Sequence, residues 1–393
     1  MINKKIDKTL NVLNKFKSDL FKFFRYIKLT GFSRTLSKVN GLYHLDKTDE
    51  FSGDFWENSN KYKSLYNDKN SNTAIIGCGY YAHAIIAYYL SKTNKYFLRA
   101  TLDIEKSRSR SLCHFYKGDY ATTSLQKILD DPQIKIVYVC SNHSSHADYA
   151  IKCIEAGKDV HIEKPHVTTI DQLNRLSEAI KSHPSVKVYL GFNRPKSNLF
   201  NILMSELDNY SGTMMINWFL VGHHLKGKHW YYDEKEGGRV LGNLCHWTDA
   251  TLNLIGVEKA FPCVITPTFM GNKSSDFVTT IVFNTGSTVV MSFSAKGWIS
   301  RGVIEELNIQ KGDCVASISS FDTLKIDSKD VRKTLNNKYR DQGHKHNIIN
   351  SYNNSLSDSG KGESFKYIYS TARLFLAVKE AIISGNKVRL DIK

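Results

Sequence analysis

From Thr73 to Phe192, short apolar runs alternate with longer segments whose apolar residues recur at three- and four-residue steps. Thr73–Ile76, Tyr96–Leu102, Ile134–Cys140, Asp159–Ile162 and Val186–Phe192 have the length and β-branched content of buried strands. The stretches around Ala84–Tyr89, Ser124–Leu129, Ala147–Ala156 and Ile170–Ile180 read as helices, with Gly157 placed to end the third. Strands regularly separated by helices predict an α/β fold with a parallel, doubly wound sheet, whose ligands sit beyond the carboxyl ends of the strands. Past Pro195 the pattern changes. After a helix over 198–207 come strands at Thr213–Leu220, Cys263–Phe269, Phe277–Phe283, Thr288–Ser294, Val303–Gln310 and Val315–Ser319, interrupted by a helix near Gly238–Leu254. These predict an α+β domain with an open, mostly antiparallel sheet, closed by helices near His344–Asn353 and Phe365–Ile383.

Ahead of this alternation, Ile6, Leu10, Leu13, Phe16, Leu20, Phe24 and Ile27 keep helical spacing, with Lys8, Lys15, Lys22 and Lys28 on the other faces. Such a basic amphipathic helix docks on its own chain or a second subunit; the other reading is peripheral contact of residues 4–29 with an anionic membrane surface. From Gly41 to Asn72 the chain turns polar, as in a linker or a surface wrap.

The formal charge of +16 invites a nucleic-acid reading, but the lysines are scattered and no nucleic-acid-binding motif appears. A basic surface suits an anionic cofactor and substrate equally well. Seven cysteines without C-x-x-C spacing, several inside apolar segments, read as reduced thiols. With no signal-peptide pattern and no apolar run long enough to span a bilayer, a cytoplasmic protein is expected. His223, His224, His229, His344 and His346 lack zinc-ligand spacing, so no metal site is expected.

Chemistry gathers at the strand ends. Gly77-Cys78-Gly79-Tyr80-Tyr81-Ala82 reads G-x-G-x-x-A between a strand and a helix, the dinucleotide-binding fingerprint. Gly77 permits the turn, Gly79 lets backbone approach a pyrophosphate, and Ala82 lets helix pack on strand. Asp103 ends the next strand, where an acid bonds a ribose hydroxyl and repels a 2′-phosphate. NAD is therefore expected, although Lys106, Arg108 and Arg110 nearby leave NADP open. Ser141, Asn142, His143 and His146 follow another strand end and are candidate cofactor contacts, with helix capping by Ser144 or Ser145 the alternative. Glu163 and Lys164 end the next strand, and Pro165 confines the lysine backbone to extended conformations. On a helix, Asn243, His246 and Asp249 stack along one side at three-residue steps after Gly237 and Gly238. Histidine changes protonation near neutral pH, as a general acid–base needs.

Four motifs in this order, the turn Gly77–Ala82, Glu163-Lys164-Pro165, Gly191-Phe192-Asn193-Arg194-Pro195 and Gly237-Gly238-Arg239 leading to His246 and Asp249, resemble the Gfo/Idh/MocA oxidoreductases over roughly residues 70–390. The resemblance implies a nicotinamide cofactor and a sugar, polyol or sugar-nucleotide substrate. It also implies a catalytic pair, Lys164 and His246, and a homo-oligomer built on the second domain's sheet. The G-G-R-x-x-G-x-x-C-H form is similar to members associated with bacterial surface-polysaccharide metabolism. Gly242 stands where many members carry an Asp four residues before the histidine. On this basis residues 1–70 are an extension, 71–194 a Rossmann domain and 195–393 a substrate-binding and oligomerisation domain. His246 is expected to take the hydroxyl proton and Lys164 to steady the oxygen, with Asn193, Arg194, Asn243 and Asp249 positioning substrate. Two rivals are a catalytically silent binding or scaffold protein acting through the basic N-terminal helix, and a reductase of a keto-sugar or unsaturated ring.

Overall fold

The computed structural model describes residues 20–58, 71–225, 227, 229–268, 276–298 and 302–392. Residues 1–19 and 59–70 lie outside the described residues, and with them most of the expected first helix and part of the polar stretch.

A central sheet holds β1 (Phe55–Glu57), β2 (Thr73–Ile76), β3 (Leu98–Leu102), β4 (Tyr120–Thr122), β5 (Ile136–Val139), β6 (Asp159–Ile162) and β7 (Val188–Leu190). Its order is β1-β4-β3-β2-β5-β6-β7, parallel throughout except for β1, which pairs antiparallel with β4. Every residue of β2 and β5 is buried, which explains why these strands read as unbroken apolar runs rather than alternations. The order reverses between β3 and β5, on either side of β2, so the crevice beyond the end of β2 is the ligand position of a doubly wound sheet.

The second sheet contains β8 (Met214–His223), β9 (Cys263–Thr268), β10 (Asp276–Val282), β11 (Thr288–Gly297), β12 (Ile304–Lys311), β13 (Cys314–Ser319), β14 (Thr323–Asp327), β15 (Arg332–Asn336) and β16 (Val388–Leu390). Its order is β15-β14-β13-β12-β8-β11-β10-β9-β16, antiparallel apart from the β8–β11 pair. Along β8, Ile216, Trp218 and Leu220 face the core while Met215 and Phe219 face out, 63% and 52% exposed. Trp218 is worth roughly 2–3 kcal/mol of apolar burial, and its indole N–H donates to Thr251 Oγ1 at 3.0 Å, tying helix Cys245–Ile255 to the sheet.

Two assignments change. The polar region after Gly41 is not all linker: helix Phe32–Leu45 lies against the fingerprint helix, and β1 extends the nucleotide-binding sheet. Gly41 makes the contact close, since a Cβ there would stand 2.8 Å from Ala84 Cβ. Nor do residues 195–393 form a unit apart. Tyr138 in β5 donates to Ile348 O at 2.9 Å in helix His344–Leu356. Helix Phe365–Ser384 gives Phe375 to the core of the first sheet and Leu374 to that of the second.

The described part of the first expected helix, residues 20–30, docks on the chain itself. Arg340 N–H donates to Leu29 O at 2.8 Å, and the ring of Tyr339 lies against Gly31. Phe21 and Phe24 stay exposed. No described helix is long and apolar enough to cross a membrane.

Candidate active site

At the end of β2, Gly77 has φ 86°, and a side chain there would meet the Ser141 backbone at 2.4 Å; only glycine serves. Around Gly79 nothing lies within 4 Å of a built Cβ, leaving room for a ligand against the backbone. The helix that starts at Tyr80 directs its unpaired N–H groups toward this space. Asp103 Oδ2 accepts from Cys78 N at 2.6 Å and Oδ1 from Glu105 N at 2.9 Å, and each oxygen keeps a lone pair for a ribose hydroxyl. Of the nearby bases, Arg110 donates to Glu50 O and lies over Trp56, and Lys106 lies over Phe51. Those contacts turn both side chains toward the extension. The residues therefore fit a dinucleotide.

Sequence reasoning missed His44. Its Nε2–H donates to Cys78 O at 2.6 Å while Nδ1 accepts from Ser111 at 2.9 Å, so the extension grips the turn between its two glycines. Burial lowers its pKa, as it does for His83, stacked 4.5 Å away and brought down to about 3. Nothing in the run Gly41-Leu42-Tyr43-His44 signals this contact locally.

Several expected cofactor contacts have structural tasks instead. Tyr80 packs against Gly41 of the extension. His146 bonds Pro165 O at 2.9 Å and Ser141 O at 3.0 Å, tying two strand-end loops together from a buried position. Glu236 joins the two halves: it accepts from Asn142 Nδ2 at 2.7 Å, Ser144 Oγ at 2.8 Å and Ser144 N at 3.0 Å, and its carbonyl bonds His143 Nδ1 at 2.9 Å. Ser141 lies in the crevice wall against Gly77 with its hydroxyl 2.7 Å from that of Ser145, and Tyr81 lies beside Glu163, its phenol pushed up by burial and then by that carboxylate.

Lys164 Nζ donates to Gly242 O at 2.9 Å. Gly242 lies in a π-helical turn, Val240–Leu244, that runs directly into the helix carrying His246. Tyr231 and His143 crowd Gly242 so closely that a Cβ there would stand 2.9 Å from the Tyr231 ring, so the carboxylate that many members carry at this position would require that ring to move. The ammonium thus lies against the turn that leads, one helical turn later, to the residue carrying the imidazole. Burial, then Arg194, then Lys164 hold the His246 pKa well below its ordinary value, so the ring is neutral.

A buried network orients that ring. Arg194 Nη1 donates to His246 Nε2 at 3.1 Å; its Nε and Nη2 reach Glu305 Oε1 at 2.9 and 2.7 Å. Glu305 also accepts from Trp247 Nε1 at 3.1 Å and Gln342 Nε2 at 2.5 Å. Arginine only donates, so Nε2 accepts, and the neutral ring carries its proton on Nδ1, which has no partner. His246 presents an N–H, not a lone pair. This corrects the expectation that it removes a hydroxyl proton. Arg194 and Asn193 are likewise positioning residues, not substrate contacts: both are buried, and Asn193 Nδ2 donates to Gln342 O at 2.7 Å. Glu305 had a signal in the sequence, an acid in phase with the inward-facing Leu307 and Ile309 of β12.

Asn243 keeps an unpartnered Oδ1 and remains a candidate substrate contact. Asp249 does not. Fully buried, it accepts from Tyr367 at 2.6 Å and Thr371 at 3.0 Å on the C-terminal helix. Burial raises its pKa from 3.8 to about 7, against those two hydrogen bonds, and burial raises Glu363 to about 7 as well. The folded protein therefore retains protons that the unfolded chain releases from about pH 4 upward, and stability falls as pH rises toward 7, then levels. Asp249→Asn should remove about half of that slope in denaturant unfolding between pH 5 and 7. An unchanged slope would show that Asp249 titrates normally.

Residues 71–192 match the family model described as oxidoreductase family, NAD-binding Rossmann fold. That segment is thus similar to the NAD-binding domain of the Gfo/Idh/MocA oxidoreductases. Among similar proteins, the uncharacterized oxidoreductase YrbE of Bacillus subtilis is 24% identical over 265 residues, 66% of this chain and 77% of that protein. Myo-inositol 2-dehydrogenase of Thermotoga maritima is 28% identical over 135 residues, 34% of this chain and 40% of that one. The solved structure of levoglucosan dehydrogenase in complex with NADH and levoglucosan superposes with a TM-score of 0.68 at 17% identity, covering 81% of this chain and 98% of the other. At that identity the likeness is one of fold. The NAD-binding description of the matched model agrees with the turn and with Asp103. The extension lies outside the matched segment, although His44 belongs to the turn's surroundings.

Proposed function

We propose that the protein transfers hydride reversibly between NAD and a secondary alcohol or ketone on a sugar or sugar-nucleotide ring. What supports this reading is that Lys164, at the end of a strand of the nucleotide-binding sheet, reaches the Gly242 turn leading into the helix of His246, close enough to help depress that histidine. The dinucleotide, when bound, supplies hydride exchange at its nicotinamide. Gly77, Gly79, the first turn of the Tyr80 helix and Asp103 hold it.

The chain's own residues handle the oxygen. His246 Nδ1–H and the Lys164 ammonium both donate to it, stabilising negative charge as the C–O bond changes order. Because His246 is neutral and already protonated on the nitrogen it offers, the proton passes to and from Lys164. In the reductive direction the ammonium gives it up; in the oxidative direction the amine takes it back. Asn243 aligns a neighbouring hydroxyl.

The names of the inositol-oxidising relatives favour a polyol-like ring, and the G-G-R-x-x-G-x-x-C-H segment favours a place in surface-polysaccharide metabolism. The exposed Met215 and Phe219 on the outer face of the second sheet favour a homo-oligomer. Hydride-transfer assays on a panel of polyols, sugars and sugar nucleotides, each with NAD and with NADP, test the reading. Turnover with at least one of them and tighter binding of NAD are expected. Reproducible silence across the panel would overturn the activity, and tighter NADP binding would overturn the cofactor choice.

A further inference from the structure

Between the N-terminal extension and the second domain lies a cavity of about 500 Å³, within the range of small-molecule sites. The fingerprint helix forms its floor through Ile85, Tyr88 and Tyr89, but the turn Gly77–Ala82 is not in its wall. Six cationic side chains line it: Lys22, Arg25, Arg34, Lys38, Arg340 and Lys345. Among the lining residues Asp341 is the one carboxylate, and its oxygens already accept from Asn198 N at 3.0 Å and Gly343 N at 2.8 Å.

These cations are held close together. Arg34 donates to Ala84 O and lies 5.0 and 5.1 Å from the ring centres of Tyr88 and Tyr89; Lys38 Nζ lies 4.3 Å from that of Tyr26. Arg340 is paired with Asp322 at 2.8 Å. Burial, then Arg34 and Arg340, lower Lys38 to about 8, so its ammonium sits partly desolvated beside two other cations. A multiply charged anion would offset both the desolvation and the repulsion between these cations; a neutral sugar would not.

The cavity also adjoins the catalytic network. Gln342 is in its wall and donates to Glu305, which holds Arg194 against His246. His344, another wall residue, is half-buried and depressed by desolvation, then by Arg194, Arg34, Lys38 and Lys164, so it stands between the two groups of charge.

We infer that this cavity seats a phosphate or diphosphate carried by the sugar, making the substrate a phosphorylated sugar or a nucleoside-diphosphate sugar and the N-terminal extension its recognition element. The substrate half of this inference rests on the sugar-oxidoreductase reading above; the anion half rests on the cavity alone.

The two halves are tested together on full-length protein saturated with NADH, which fills the dinucleotide's own phosphate site. Calorimetric titration with inorganic pyrophosphate should show binding, weakened by about tenfold or more in Lys38→Glu and in Lys345→Glu and largely kept in Lys38→Arg, with NADH affinity unchanged. In turnover, one sugar is compared as the free sugar, the sugar phosphate and the nucleoside-diphosphate sugar. The charged forms should exceed the free sugar in kcat/KM by about a hundredfold, a ratio that shrinks toward one in Lys38→Glu. Preference between the two charged forms tells which source supplies the phosphate.

Pyrophosphate binding with no turnover of any sugar leaves the anion site standing and removes the oxidoreductase reading. Turnover of the free sugar as fast as its phosphate overturns the inference and leaves that reading intact. Failure of pyrophosphate to bind, or indifference of both glutamate variants, overturns it as well.

Discussion

Lys164→Met is expected to abolish turnover, lowering kcat by roughly a thousandfold or more, while NADH affinity stays within about threefold of wild type. Methionine keeps most of the volume and the unbranched stem but has neither charge nor proton. Two contributions disappear together: the donor to the reacting oxygen and the group that exchanges the proton, for which His246 cannot substitute because Arg194 occupies its Nε2. Lys164→Arg separates them. A guanidinium restores charge but does not release a proton near neutral pH, so it should recover little of the rate. Fluorescence titration of NADH beside steady-state kinetics reads both quantities. A Met variant retaining more than about a tenth of wild-type kcat would remove Lys164 from the chemistry.

Glu305→Ala should cost about 3–5 kcal/mol of stability, because it leaves the Arg194 guanidinium buried without its carboxylate. Glu305 is 1% exposed and accepts at once from Arg194, Trp247 and Gln342, so one deletion strands three donors. Denaturant unfolding measures the loss. Glu305→Gln, nearly isosteric, distinguishes stability from orientation. It should fold, yet lose rate by about tenfold or more as Arg194 shifts and His246 loses its tautomer. An alanine variant within about 1 kcal/mol of wild type would mean that Arg194 finds another partner. Full activity in the glutamine variant would mean that His246 does not depend on this network.

What was legible followed from how local each signal is. The strand Thr73–Ile76, the turn at Gly77 and the helix after it occupy adjacent residues, so period and glycine placement reveal them directly. The same holds for Glu163-Lys164-Pro165 at the end of β6 and for the helix bearing His246. Asp249 shows the limit. Three-residue spacing puts it on the side of His246, but which neighbour covers that side depends on the C-terminal helix, and Tyr367 and Thr371 claim the carboxylate. β1 escaped notice because three residues amid polar ones carry no period, and β14 and β15 because their alternation is short.

From the sequence alone came the order of strands and helices, the dinucleotide turn with its acid, and the two residues of the proposed pair. Backbone geometry dictates periods of two and 3.6 residues and the glycines they need, and those constraints act between neighbours in the chain. Only the folded chain decided that Glu305 holds Arg194 across 111 residues, that His44 closes on Cys78, and that Lys164 reaches Gly242, 78 residues away. A buried charge must find a partner, and no local pattern says which distant residue the packing will bring to it.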